Sequence, residues 1–387
     1  MKENEEIIKR RHDVILGLTL DQGIPGSEVG KSLAHSGAFL KNRSVDDLPA
    51  EWLSSAGSIG EKAERTLLSC NRQHISMVFL GDPDYPRALE NILDPPALLF
   101  FKGRRELMNV DSVAVVGARR VTAYGRKCAY EFAQQAVKHG WNVISGLAVG
   151  VDTAAHLGAL DGRGDTVAVM AGSLEHCYPK SNERLFDQIA AEGLLLSEYP
   201  PGSTLQRWQF VQRNRIVSGM SKAVIVAQAG VSSGSLITAR YAAEQGRDVY
   251  CVPGSIYEPE YLGSHRLIQD GANILYDMEM LFTEGMLSDQ SQLMIPDSHS
   301  DCFEQRVSSG SETAAVRRTG QLRNRKEENK KKAGEYLWLY EAIDDFGISA
   351  EKLSEVTGRD PQTVQRGLTM LELCGLLERN GSIVIGK

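Results

Sequence analysis

An α/β fold with a doubly wound, mostly parallel sheet is the architecture this sequence predicts, and three observations predict it. Short runs rich in Val, Ile and Leu recur along the middle of the chain: DSVAVVGARR, GWNVISG, DTVAVMAG, GLLLSEY, KAVIVAQAG and GRDVYCVPG. Stretches of helical character lie between several of them, among them YGRKCAYEFAQQAVKHG, SNERLFDQIAAEG and GSLITARYAAEQG. The runs end in Gly, Ser or Ala, so each strand passes through a small-residue turn into a helix. Near-continuous apolar strands alternating with helices belong to a parallel sheet covered on both faces.

Taken in order, residues 1–76 read as short helices. DVILGLTLDQGIPGSEVGKSLAHSG and LPAEWLSSAGSIGEKAERTLLSCNR place apolar residues at helical spacing around Gly and Pro breaks. Two short helices joined by a Gly-containing turn suit a small domain of the SAM or helix-hairpin-helix type, or a packing domain with no ligand. Residues 77–287 form the α/β domain, entered through the strands in SMVFLGDPDYP and ALLFFKG. Residues 288–332 are polar, lack apolar periodicity and end in an excess of Arg and Lys, as a linker does. The basic run from Arg317 to Lys332 is either a solvated tether or an accessory nucleic-acid contact. Residues 333–387 return to folded composition. Three helical segments precede LLERNGSIVIG, where two short strands flank an Asn-Gly turn, and this order is winged-helix-like.

Composition narrows the function classes. The 387 residues are 42% hydrophobic and 24% charged, ordinary for a globular protein, and the net charge is −7. Any nucleic-acid contact must therefore come from a local basic patch. Cys70, Cys128, Cys177, Cys251, Cys302 and Cys374 lie far apart, with no CxxC pair and no Cys/His cluster. Neither a metal site nor a disulfide framework is expected, and reduced thiols suit a cytoplasmic protein. The charged start MKENEEIIKRRHD has no apolar signal region, and no stretch has the ~20 apolar residues of a membrane span.

The ends of parallel strands are where ligands bind in such sheets, because turn amides and helix N-termini there favour anions. Three such ends carry small residues: Gly117-Ala118-Arg119, Ser145-Gly146, and Gly230 through Gly234 and Ser235. Glycines at these junctions serve tight turns in any case, but three together favour an anion site. No Walker A motif is present, nor a GxGxxG followed by a ribose-binding acid, so no nucleotide cofactor is expected. Arg207, Arg213 and Arg215, interleaved with Trp208 and Phe210, form the mixture of cations and rings that suits single-stranded nucleic acid, with an arginine network bracing loops as the other reading. Asp152 and His156 are four residues apart on a predicted helix, and Ser232, Ser233 and Ser235 have no base nearby in sequence. No arrangement supports triad chemistry, so binding rather than turnover is expected.

These motifs resemble the DprA/Smf family. VGARRVTAYG is similar to its Gly-x-Arg block followed by Ser/Thr-x-Tyr-Gly, and SGLAVGVDTAAHLGAL to its Ser-Gly-x-Ala-x-Gly-Ile-Asp block. AGSLEHCYPKSNERLF resembles the Tyr-Pro-x-x-Asn block and QFVQRNRIVSGMS the Phe-Pro-x-Arg-Asn-Arg block. The resemblance implies an extended Rossmann fold, a homodimer, binding of incoming single-stranded DNA, and delivery of the recombinase RecA during natural transformation. It makes Arg119 the main DNA-binding arginine, with Gly117, Ser145, Gly146, Lys180, Asn182, Arg213, Asn214, Arg215, Gly234 and Ser235 as members of the pocket. Val211 departs from the Pro usual in the family, and His265 from a common Asn. The alternative is a nucleotide- or nucleoside-processing enzyme on a related fold, which calls for a PGGxGT-type loop and a catalytic acid where this chain reads GVSSGSLITAR. A DNA-binding regulator acting through the last domain calls for basic residues on its third helix, and that segment offers Arg366 alone.

Overall fold

The computed structural model describes residues 2–36, 39, 44–46, 48–55, 60–277, 280–283, 336–342, 348–349, 353, 357, 359–373, 376–380 and 383–386. The chain divides into two compact units, Met1–Gln290 and Ser291–Lys387.

The first unit opens with α1 (Lys2–Leu16), which runs on into a π-helical turn over Gly17–Asp21, then α2 (Gly26–Ala34), α3 (Ala50–Ser55) and α4 (Glu61–Gln73). The start of α4 is capped from a distance: the Asp21 carboxylate accepts from the amides of Gly60, Lys62 and Ala63 at 2.8, 3.1 and 3.0 Å. Val14, Ile15, Leu18, Val29 and Leu33 join one continuous core with strand residues further on, including Leu98 to Phe101. Gly30 allows the closest approach, since a Cβ there would stand 1.7 Å from the Pro95 carbonyl oxygen. Buried Arg11 closes the contact through an ion pair with Asp82.

The strands follow in the predicted order. β1 (Ser76–Phe79) and β2 (Leu98–Gly103) come first, then β3 (Ser112–Gly117), α5 (Ala123–Lys138), β4 (Asn142–Ser145), α6 (Val151–Asp161) and β5 (Thr166–Met170). After them come α7 (Glu183–Glu192), β6 (Leu194–Ser197), α8 (Arg207–Gly219), β7 (Ala223–Gln228), α9 (Ser235–Glu244), β8 (Asp248–Cys251), α10 (Leu262–Gln269), β9 (Asn273–Ile274) and α11 (Met280–Thr283). Among the described residues the sheet has nine strands in the order β1-β2-β6-β5-β4-β3-β7-β8-β9. The run from β6 to β9 is parallel throughout, while β1 pairs antiparallel with β2 and β2 antiparallel with β6.

Every residue of β4, β5, β6 and β7 is buried, which accounts for the near-continuous apolar runs. The order also fixes where a ligand can enter. From β3 the chain builds β4, β5 and β6 outward on one side, then returns to lay β7, β8 and β9 on the other. The connections leaving β3 and β7 therefore diverge, and a crevice opens at the carboxyl ends of this pair.

In the second unit, α12 (Leu337–Ala342), β10 (Ile348–Ser349), α13 (Pro361–Leu373), β11 (Leu377–Asn380) and β12 (Ile383–Gly386) enclose a small core built from Leu339, Val364, Leu368, Leu371 and Leu376. Its strands form an antiparallel sheet in the order β10-β12-β11, and the last pair of the β11–β12 register joins Asn380 to Ile383. The predicted linker over 288–332 lies outside the described residues, as does Gly381 of the predicted Asn-Gly turn. No helix among the described residues is long and apolar enough to cross a membrane.

Candidate nucleic-acid interface

The crevice at the β3/β7 switch point is a cleft of about 500 Å³. Four separate stretches of chain line it: Val116 to Arg120 after β3, Gly146 and Ala148 after β4, one face of α8, and Gly230 to Ser235 leading into α9. Two of them pass through turns that only a small residue permits, at Gly117 and at Gly146. At Gly117, a Cβ would lie 2.6 Å from Val151 Cγ2 and 2.8 Å from the Gln228 carbonyl oxygen. Gly150, which precedes α6 at φ +92°, presses against the Ala118 carbonyl, 2.4 Å from where a Cβ would be.

The face of α8 follows from helical periodicity. Phe210, Arg213, Asn214 and Val217 stand at i, i+3, i+4 and i+7 and all line the cleft. The sequence places QRNR ahead of an apolar strand; the structure makes it a helix, and this separates the two arginines. Two residues correspond to about 200° around a helix. Arg213 therefore faces the cleft, whereas Arg215 is 0% exposed on the opposite side, bound to Glu198 at 2.7 Å and Asp94 at 3.0 Å. Burial disfavours the Arg215 charge, but Glu198 and Asp94 outweigh it and hold the guanidinium above its usual pKa.

Arg213 is itself nearly buried and donates to the Val169 carbonyl. Burial lowers its pKa, and the Arg119 charge pushes the same way against the nearby Asp152. It packs against the bare backbone of Gly146, where a Cβ would sit 1.9 Å from its Nη1. The Asp152 carboxylate accepts from the amides of Gly146 and Ala148, both at 3.2 Å, and fixes the turn after β4. Burial raises its pKa, against the opposing charge of Arg213. His156, one turn further along α6, bonds the Thr166 hydroxyl at 2.7 Å, so the predicted helix pair serves two different partners. Its burial, with the Arg213 charge, pushes the imidazole down to about 3.

The remaining sequence-predicted residues fall into two groups. Gly117, Arg119, Gly146, Arg213, Asn214, Gly234 and Ser235 come together around the cleft. Ser145 and Asn182 stand behind it: the Ser145 hydroxyl donates to the Val115 carbonyl at 2.7 Å, and Asn182 donates to the Leu147 carbonyl and the Thr153 hydroxyl, each at 2.9 Å. Leu147 has φ +58°, a costly value for a branched side chain, and Asn182 helps hold that turn. Lys180 is exposed in the short 3-10 turn before α7, outside the cleft lining. Of the family departures, Val211 lines the cleft on α8, and His265 on α10 bonds the Gly254 carbonyl at 3.1 Å.

Arg119 is exposed at the rim, and its guanidinium carbon lies 5.1 Å from the centre of the Phe210 ring. That geometry is a cation–π contact that leaves most of the guanidinium donors open. Phe210 meets the half-exposed Tyr178 ring edge-on at 5.5 Å, and Trp208 meets Tyr199 at 5.9 Å. Sequence reasoning missed Arg120, Glu260 and Tyr178. Arg120 was visible beside Arg119, and Tyr178 in the Tyr-Pro-x-x-Asn block, but only the fold brings that block to Phe210. The cleft thus joins three arginines, turn amides and the N-terminus of α9, with aromatic rings alongside; Asp152 and Glu260 are the acids in its lining. Such a surface can hold anionic oxygens and stack flat rings.

Residues 76–285 match the family model described as DNA recombination-mediator protein A. The DNA processing protein DprA of Bacillus subtilis is 42% identical over 224 residues, covering 58% of this chain and 75% of that protein. DNA processing protein A of Streptococcus pneumoniae has a solved structure that superposes with a TM-score of 0.59 at 34% identity, over 72% of this chain and 96% of that one. The homologous protein of Helicobacter pylori, whose structure concerns its single-stranded DNA binding mode, superposes with a TM-score of 0.50 at 30% identity, over 55% of this chain and 96% of that one. The order of the motifs, the sheet that carries them and these similarities agree, and the chain belongs to the DNA recombination-mediator protein A family.

Proposed function

We propose that this chain binds single-stranded DNA, protects incoming strands, and loads the recombinase RecA onto them during natural transformation and recombination, without a catalytic step. The observation that carries the DNA-binding reading is the exposed Arg119 at the sheet's switch point, stacked on Phe210 and opening onto a cleft of arginines and turn amides. Phosphates take the guanidiniums and amides, and unpaired bases take the rings. Family membership supports the recombination role, and the Helicobacter pylori relative supports single strands as the ligand.

Gly117, Arg119, Gly146, Arg213, Asn214, Gly234 and Ser235 are the contact set in this reading. Ser145 and Asn182 position it, Arg215 braces α8 from behind, and Lys180 extends the basic surface. Self-association as a homodimer is supported by exposed Ile274 on the edge strand β9 and Tyr276 just after it. A cytoplasmic site of action is supported by free thiols at Cys70, Cys128, Cys177 and Cys251. The helices of 1–76 act as a SAM or helix-hairpin-helix-like module. Residues 333–387 act as a winged-helix-like module beyond the 288–332 linker, a reading supported by α13 and the β11–β12 pair.

One observation favours the nucleotide-processing alternative: a buried acid, Asp152, lines the cleft with its pKa raised by burial. Its two backbone amide bonds assign it to holding a turn instead. A titration with single-stranded and duplex oligonucleotides over a range of salt concentrations separates the readings. Preferential single-strand binding that weakens steeply with salt is expected, because phosphate contacts release counterions. A flat salt response, with hydrolysis of a nucleoside monophosphate, would replace the DNA-binding reading with the enzyme.

A further inference from the structure

The N-terminal helices are fixed to the sheet by more than the shared core. Buried Arg11 on α1 pairs with Asp82 just after β1, and the His12 imidazole bonds the same carboxylate at 2.8 Å. Gly26 at the start of α2 packs against the Glu198 side chain, which in turn holds Arg215 of α8. α4 ends at Gln73, where His74 takes a left-handed turn at φ +53° and the chain enters β1. The last side chain of α4 is therefore a fixed post beside the sheet.

The Gln73 amide nitrogen donates to the Ser69 hydroxyl at 2.9 Å and to the Glu175 carboxylate at 2.5 Å. Glu175 lies on the loop after β5, three residues before Tyr178. Its second oxygen accepts from the Gly202 backbone amide, on the loop between β6 and α8, and from the Ser173 hydroxyl at 3.5 Å. One half-buried carboxylate thus joins α4 to two loops. Those loops carry rings beside the cleft: Tyr178 meets Phe210 edge-on at 5.5 Å, and Tyr199 meets Trp208 at 5.9 Å. Burial works against the charged form of Glu175, but the bonds from Gln73 and Gly202 outweigh it and hold the carboxyl below its usual range. A carboxylate beside a site for a polyanion opposes binding by its charge; what explains its presence is the set of bonds it makes.

We infer that Glu175 is a positioning residue: it ties the end of the N-terminal helices to the Tyr178 loop, so that those helices set the affinity for single-stranded DNA without touching the strand. The inference rests on the DNA-binding reading above and adds residues 1–75 as a determinant of it. A ligand that must order loops as it binds is held more weakly than one that meets them already in place. The bonds from Gln73 through Glu175 to Gly202 fix both loops before the strand arrives.

Charge and position predict opposite signs. Removing an acid beside a DNA site strengthens binding if charge alone matters, whereas losing the tie weakens it. Affinity for a labelled oligothymidylate is measured for Glu175→Ala, Gln73→Ala and Glu175→Gln, each checked for a cooperative thermal transition; if Glu175→Ala does not fold, Gln73→Ala carries the same test from the helical side. Both alanine variants are expected to bind about 2- to 30-fold more weakly, the range over which side-chain networks couple sites. Their salt slope should match the wild type, since no phosphate contact is lost. Glu175→Gln removes the same charge but keeps both bonds once the Gln73 amide turns over, so its affinity should equal or exceed that of the wild type. In a Tyr178→Ala background, Glu175→Ala should weaken binding no further, because the tie then has no ring to place. Unchanged or tighter binding by both alanine variants, a Glu175→Gln protein as weak as Glu175→Ala, or full additivity with Tyr178→Ala overturns the positioning role and leaves the cleft reading intact. Failure of the wild type to bind the oligothymidylate, or binding that Arg119→Ala leaves unchanged, overturns the cleft reading and this inference with it.

Discussion

Arg119→Ala removes the one cleft guanidinium that is exposed and stacked on a ring, and its consequences follow from that position. The side chain contributes little to the core, so the fold should lose no more than roughly 0.5 kcal/mol, as for other surface substitutions. Binding should lose far more. A hydrogen bond between charged groups is worth about 1.5–3 kcal/mol, which is roughly a 10- to 150-fold weaker complex. One lost phosphate contact on a single strand should also flatten the plot of log affinity against log salt by about 0.7. Fluorescence anisotropy with a labelled oligothymidylate at several salt concentrations reads both quantities together. Arg119→Lys should fall between, since it keeps the charge but loses the planar fork and the stacking on Phe210. An affinity within twofold of wild type, or an unchanged salt slope despite weaker binding, would refute the assignment of a phosphate to this guanidinium.

Three further outcomes follow from the supporting structure. Glu198→Ala leaves the buried Arg215 charge with only Asp94, and breaking a buried pair should cost about 3–5 kcal/mol in denaturant unfolding; a loss below 1 kcal/mol would show that the pair braces nothing. Gly146→Ala forces a methyl into Arg213, so overpacking of about 1–3 kcal/mol and weaker DNA binding should appear together; a lowered melting temperature with unchanged affinity would separate Arg213 from the ligand. His156 is buried neutral with its pKa pushed down from 6.5 to about 3, so the unfolded chain takes up its proton first and stability must fall as pH drops through 6.5 toward 3. Between pH 7.5 and 5 that is about 2 kcal/mol, the slope approaching ~1.4 kcal/mol per unit only below pH 6.5. His156→Gln should remove this increment, and equal pH slopes for the two proteins would count against a neutral imidazole.

The sequence alone carried the architecture of the sheet and the identity of its glycine-bearing turns. Those signals are local: apolar runs such as AVIVAQA, the small residues closing them, and the helices between are each readable within a dozen neighbouring residues. Family membership was readable for the same reason, because its motifs are short and occur in a fixed order. Only tertiary structure decided which arginines share a space. Arg213 and Arg215 look equivalent in QRNR, yet the helical phase of α8 sends one to the cleft and the other to Glu198 and Asp94. Asn182 sits within a family motif, yet it props a turn, because β4 and α6 bring Leu147 and Thr153 to its amide. Tyr178 reaches Phe210 across a large gap in sequence for a similar reason. Local patterning determines where strands and turns form, whereas the neighbours of a side chain depend on strand order and helix phase, which long-range packing sets.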